Sequence, residues 1–210
     1  MDHSLLPILV ASARGIFPKD DGAFHVVPPL PDGRYAVVCF TGCAYVCASE
    51  SFDRLASLGC DGFGGALRPQ LLLHLAGPQG RVHEIDVTLA ALGQGRDPYA
   101  LPPELGDSRH PRVAYARSQR RDVCVHGDER GLITLAKGLA GRDEISIETP
   151  EVAFGKGGGR SLLRDVLAAW PEGQPLFAAV SPGNARSLRA FLAAGFRPVA
   201  SEVLIERSSG

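Results

Sequence analysis

Phe154-Gly155-Lys156-Gly157-Gly158-Gly159-Arg160-Ser161-Leu162-Leu163 runs four glycines in five positions straight into an apolar periodic segment. Without Cβ atoms, successive backbone N–H groups can converge on one point. Leu162, Leu163, Val166, Leu167 and Trp170 recur at helical spacing, so a helix is predicted to open on the run. A helix N-terminus with bare, converging amides suits an anion, and the expected anion is a phosphate or diphosphate. Lys156 and Arg160 flank the run with positive charge. A flexible glycine linker has the same composition, so the neighbouring sequence has to decide between the two.

Upstream, residues 121 to 126 alternate, Gly127-Asp128-Glu129-Arg130 turns, and 131 to 139 continue as a strand. Gly141-Arg142-Asp143 turns again before Glu144-Ile145-Ser146-Ile147-Glu148-Thr149, which alternates polar and apolar. The pattern predicts a three-stranded antiparallel meander. Downstream, residues 175 to 180 read as a short buried strand. Asn184 stands before a helix over 185 to 194 that Gly195 closes, and 196 to 206 read as a last strand pair.

The N-terminal half has a different texture. An apolar patch over 4 to 14 predicts a short helix. Residues 23 to 29 and 34 to 41 read as strands joined into a hairpin by Leu30-Pro31-Asp32-Gly33, with a third strand over 43 to 48. Ser49 is the expected N-cap of a helix over 50 to 58, and 66 to 76 predict a second helix ended by Gly77-Pro78. Residues 81 to 92 fit a strand passing into a helical turn. Three prolines and three glycines between Gly93 and His110 mark a linker or surface loop. The expected division is therefore 1–92, an α+β half, then the 93–110 linker, then 111–210. The fold class is α/β (α+β), with a mixed, mostly antiparallel sheet flanked by helices.

The totals limit what this chain can be. Its 210 residues carry a net charge of −1, which gives no electrostatic case for nucleic acid or an anionic membrane surface. No apolar run approaches the roughly 20 residues of a membrane span. Five cysteines, an odd number with no C-x-x-C pair, read as buried thiols of a reducing compartment, and no metal site is expected. The start Met1-Asp2-His3-Ser4 lacks a basic leader, so a cytoplasmic location is expected.

The order strand, strand, strand, glycine turn, helix, strand, helix, strand from Arg121 resembles the GNAT superfamily of acyl-CoA-dependent N-acetyltransferases. Two stretches carry the resemblance. Phe154-Gly155-Lys156-Gly157-Gly158-Gly159 falls on the family's [Gln/Arg]-x-x-Gly-x-[Gly/Ala] loop, after a strand that looks like its central one. Val180-Ser181-Pro182-Gly183-Asn184-Ala185-Arg186-Ser187-Leu188 through Ala194-Gly195-Phe196 resembles its Asn-containing helix ending in Gly-Phe. The resemblance covers the C-terminal half; 1 to about 90 match no family, and read as a degenerate second lobe or a substrate-side cover. Gly62-Phe63-Gly64-Gly65 there is not expected to hold a cofactor. A Walker loop fits the glycine run less well, since Lys156 precedes its glycines. A dinucleotide fingerprint would need glycine at Arg160.

The resemblance implies acetyl-CoA as cosubstrate, with its diphosphate over Gly155, Lys156, Gly157, Gly158, Gly159 and Arg160. Its pantetheine would lie along the central strand beside Ile147, with Asn184, Ser187 and Phe191 on the following helix. The acceptor would be a primary amine of a small molecule or peptide. No nucleic acid or membrane partner is implied, and a homodimer is compatible with the pattern. Glu148 is the first candidate base, with a solvated or ion-paired strand carboxylate as its alternative, and Glu144 is the second. Ser187 or a water is a candidate proton donor. Two departures stand out: Phe154 replaces the usual Gln or Arg, and Phe191 stands where the family often has a Tyr acid. A phenyl ring carries no exchangeable proton, which leaves open a catalytically silent acyl-CoA-binding or regulatory module.

Overall fold

The computed structural model describes residues 3–106, 108–150 and 157–207. The fold is mixed α/β, with a mostly antiparallel sheet and flanking helices. The chain divides into two compact units, Met1–Thr88 with Val199–Gly210, and Leu89–Pro198. The division falls between Thr88 and Leu89, and the last strand from Val199 onward belongs to the first unit.

In the first unit, α1 (Leu6–Ala13) is followed by β1 (Ala23–Val27), β2 (Tyr35–Phe40) and β3 (Cys43–Cys47). The expected β1–β2 hairpin does not form. Leu30-Pro31-Asp32-Gly33 does turn, with the Gly33 amide donating to the Leu30 carbonyl, but β1 pairs in parallel with β3. The hairpin is β2–β3, closed by Thr41-Gly42 with Gly42 at φ +63°, where glycine escapes the Cβ clash. Helix α2 (Phe52–Ser57) is capped by Ser51, not Ser49: the Ser51 hydroxyl accepts from the Arg54 amide. A 3-10 turn over Gly65–Leu67 precedes α3 (Pro69–Ala76), whose Leu71, Leu72 and Leu75 are buried. They pack with Val37, Val46, Leu55, Val203 and Ile205 in one core. Residues 81 to 92 hold two strands, β4 (Arg81–Val82) and β5 (Asp86–Leu92), joined by 83–85 with no helical turn.

The second unit holds α4 (Pro111–Gln119), β6 (Arg121–Asp128), β7 (Gly131–Lys137), β8 (Asp143–Glu148), α5 (Gly158–Ala169), β9 (Pro175–Val180) and α6 (Ala185–Ala194). Strands β6, β7 and β8 form the antiparallel meander, and β9 runs parallel to β8. Leu162, Leu163, Val166 and Leu167 bury one face of α5. The Gly93–His110 stretch is not a linker. The amides of Gln94 and Arg96 donate to the Leu167 and Ala168 carbonyls of α5. Leu105 donates to Val125 and Gly127 to Pro103, so Pro103–Leu105 lies along the outer edge of β6. Residues 197 to 206 form one strand rather than two, β10 (Arg197–Glu206), whose Ser201–Ile205 pairs antiparallel with β2.

Candidate active site

The site is built around β8. On its β7 side the strand is paired from end to end, Asp143 with Lys137 through Glu148 with Leu132. On its β9 side, among the described residues, the ladder has one partner pair, Glu144 with Phe177. Alternate residues of a strand aim their N–H and C=O groups to opposite sides. Beyond Glu144, therefore, the β8 groups that face β9 have no ladder partner on β9 among the described residues.

The first turn of α5 abuts the open end of β8. A Cβ on Gly159 would stand 3.1 Å from Thr149 Cγ2 and 3.2 Å from Ile147 Cδ1, so glycine permits the close approach. Gly157 is the N-cap at φ +81°, left-handed backbone that glycine adopts without strain, and it supplies no side-chain cap. The first amides of α5 lack intrahelical acceptors, as in any helix. Gly157 and Arg160 are exposed. Among the described residues, the amides of Gly158, Gly159 and Arg160 have no acceptor within the helix, and Gly159 stands beside Ile147 and Thr149 at the end of β8. Phe154, Gly155 and Lys156 lie outside the described residues.

Arg130, at the β6–β7 turn, ties this helix start to the sheet. Its guanidinium grips Asp128 through two nitrogens and donates to Ser161 Oγ at 2.9 Å and to Asp165 at 2.5 Å. The Arg130 hydrogen bond holds the Asp128 carboxyl below the ordinary range, and the paired acids raise Arg130 in turn. Sequence reading passed over Arg130, because its partners on α5 are 31 and 35 residues away.

Glu144 and Glu148 share a face of β8 with Ser146, whose hydroxyl lies 2.6 Å from that of Thr134 on β7. Their surroundings differ. Glu144 is 4% exposed and lies between two guanidiniums. Arg120 Nε donates to Oε1 at 2.7 Å, and Arg142 donates to Oε2 from Nε at 3.0 Å and Nη2 at 2.9 Å. Burial opposes its charge, but Arg142 and then Arg120 outweigh it and hold the carboxyl below the ordinary range. Such a buried, doubly paired carboxylate is a poor proton acceptor. Glu144 is therefore withdrawn as a base; it is an ion-pair residue.

Glu148 is 47% exposed, and its Oε2 lies 4.0 Å from Nδ1 of His110. His110 is the N-cap of α4, its Nδ1 accepting from the Arg112 amide at 3.1 Å. No sequence signal connected the two, which are 38 positions apart. His126, a half-buried residue of β6, has its Nδ1 3.0 Å from the Pro102 carbonyl oxygen.

On α6, Asn184 Oδ1 accepts from the Ser187 amide and caps the helix, which leaves its Nδ2 donors. Phe191 is not placed to touch a cofactor. It is 2% exposed and meets Phe196 edge-on at 4.9 Å, a core contact. In the first unit, the amides of Phe63 and Gly65 both donate to Asp61. Those bonds, Gly65 first, hold the Asp61 carboxyl low, so that glycine loop already carries its own anion.

Among the described residues no group of His, Cys, Asp and Glu is arranged to hold a metal ion, and no helix is long and apolar enough to cross a membrane. Burial pushes the Cys39 and Cys47 thiols up to about 12, while Cys124 is exposed.

No protein-family model matches the chain, and no curated protein matches it. Among solved structures, a GNAT-family acetyltransferase from Colwellia psychrerythraea is similar over 61% of this chain, at 9% identity and a TM-score of 0.38. A protein from Novosphingobium aromaticivorans described as a GNAT-family acetyltransferase is similar over 63% of this chain and 69% of its own, at 17% identity and a TM-score of 0.39. The chain spans 57% of the length of the first of these. Likeness this low carries no weight for fold or activity; the local geometry has to.

Proposed function

We propose that this chain is a GNAT-type N-acetyltransferase, moving an acetyl group from acetyl-CoA to a primary amine of a small molecule or peptide. The observation that carries the reading is the one-sided pairing of β8. Its ladder to β9 stops after Glu144–Phe177, and the bare first turn of α5 stands at the end where the two strands are unpaired. A pantetheine arm is a chain of amides, and it can pair with the idle strand groups as an added strand would. The diphosphate would sit on the amides of Gly158, Gly159 and Arg160. Acetyl-CoA supplies an activated thioester carbonyl; the residues supply placement and proton handling.

In this reading Glu148 takes one proton from the acceptor's ammonium. The neutral amine then attacks the carbonyl carbon, whose oxygen accepts a hydrogen bond from an idle β8 amide near Ile147. The C–N bond forms, the C–S bond breaks, and the second amine proton passes through water to the leaving thiolate. Phe191 has no part in that last transfer.

The burial of Phe191 favours a second reading, a module that binds acyl-CoA and does not turn it over. Titration calorimetry with acetyl-CoA and thiol release against an amine panel separate the two. Binding with release supports the transferase; binding without release supports the silent module; absence of binding overturns both.

A further inference from the structure

The acceptor side of the same site has its own chemistry, and the helix that covers it dictates which residues meet there. On α4, Val113 packs against Val125 and Leu132 of the meander. Leu132 is the cross-strand partner of Glu148. Three residues before Val113, on the same helical face, stands His110, and this places its ring beside the Glu148 carboxylate. The two side chains are 41% and 47% exposed, at the end of the stripe that α4 buries.

The cap also settles the state of the ring. Nδ1 accepts the Arg112 amide proton, so in the neutral ring the hydrogen is on Nε2. The lone pair that could have acted as a base is occupied, and His110 is left as a hydrogen-bond donor. Next to it Glu148 can only accept or attract positive charge. The 4.0 Å contact is from Oε2 to the capping nitrogen Nδ1, so the Nε2–H donor stands across the same ring. A half-exposed acceptor beside a half-exposed donor matches a ligand carrying both roles a few bonds apart.

Resting on the transferase reading, we propose that His110 selects the acceptor. Glu148 holds the amine, and the Nε2–H of His110 donates to an oxygen carried on the neighbouring carbons. The substrate class is then amines with a nearby carbonyl or hydroxyl oxygen, such as an α-amino amide or a peptide N-terminus, in preference to plain alkylamines.

The test compares glycinamide with n-propylamine as acceptors, in the wild type and three variants. His110→Asn keeps a capping oxygen and an N–H donor, His110→Asp keeps the cap without a donor, and His110→Ala removes both. The wild type should favour glycinamide in kcat/KM by about three- to tenfold, the worth of one hydrogen bond. His110→Asn should keep most of that preference. In His110→Asp and His110→Ala it should vanish, through a larger rise in KM for glycinamide than for propylamine. Acetyl-CoA affinity, read by calorimetry, should be the same in all four proteins. Turnover with no preference in the wild type, or a preference that survives in both the Asp and Ala variants, overturns the role of His110 and leaves the transferase intact. A wild type that does not bind acetyl-CoA overturns both.

Discussion

Glu144 and Glu148 stand on the same face of the same strand, four residues apart, and they have been given opposite work. At the inner end, α4 finishes at Arg120 and the preceding turn contributes Arg142, so Glu144 is enclosed by two guanidiniums. Arg142 is itself fully buried, its guanidinium 5.3 Å from the centre of the Phe177 ring. At the outer end, α4 begins with His110, a ring that caps a backbone amide and leaves the Glu148 carboxylate half in water. The type of residue does not set its role; the end of the covering helix that reaches it does. A buried ion pair fixes structure, and an exposed carboxylate beside an opening can exchange protons.

That contrast is easiest to break by making the same change at both ends. Glu148→Gln should lower kcat by about 10²- to 10⁴-fold, the usual range for a lost general base. Its acetyl-CoA affinity and melting temperature should stay near wild type. Glu144→Gln should do the reverse, leaving two buried guanidiniums without their anion and costing about 3–5 kcal/mol in denaturant unfolding. Comparable kinetic losses from both changes, with stability intact, would erase the distinction.

Acid titration sharpens it. The folded Glu144 carboxyl lies below its ordinary range, so the unfolded chain binds the proton more tightly. Its stabilisation is then fully present above about pH 4.3, the value for an unperturbed glutamate, and is lost as pH falls below that. Wild type should lose stability over that window by more than Glu144→Gln does, as read by urea midpoints at each pH. Equal slopes would mean that the two arginines do not hold the carboxylate as described.

A smaller effect probes the cofactor end. Gly157→Ala forces a Cβ into left-handed backbone and should cost roughly 1–2 kcal/mol, shared between stability and acetyl-CoA binding. No change in either would remove the N-cap geometry from the account.

Much of the second unit was legible in the sequence, because the features that specify it are local. The meander follows from alternation and turn residues, α5 from its apolar spacing, and α6 from Asn184 and Gly195 at its two ends. The N-terminal strands were harder. Leu30-Pro31-Asp32-Gly33 makes its turn, but turn chemistry cannot say which strand is adjacent, and β1 passes over β2 to lie beside β3. The Gly93–His110 stretch looks unstructured because its order comes from α5 and β6, distant in sequence. The candidate site was half visible for the same reason. The bare glycine amides are contiguous, whereas Arg120–Glu144, Arg130–Asp165 and His110–Glu148 join residues 24 to 38 positions apart. Neither glutamate carries a local mark that tells buried from exposed.

The central claim is that acetyl-CoA lies against the idle side of β8 with its diphosphate on the start of α5. Titrating ¹⁵N-labelled protein with acetyl-CoA and following backbone amide resonances tests it most directly. The account predicts saturable shifts concentrated at Gly158, Gly159 and Arg160 and at Ile147 on the open edge, with the Glu144 amide little moved. Saturable shifts confined to other parts of the chain, or none at ligand concentrations well above a millimolar, would contradict it.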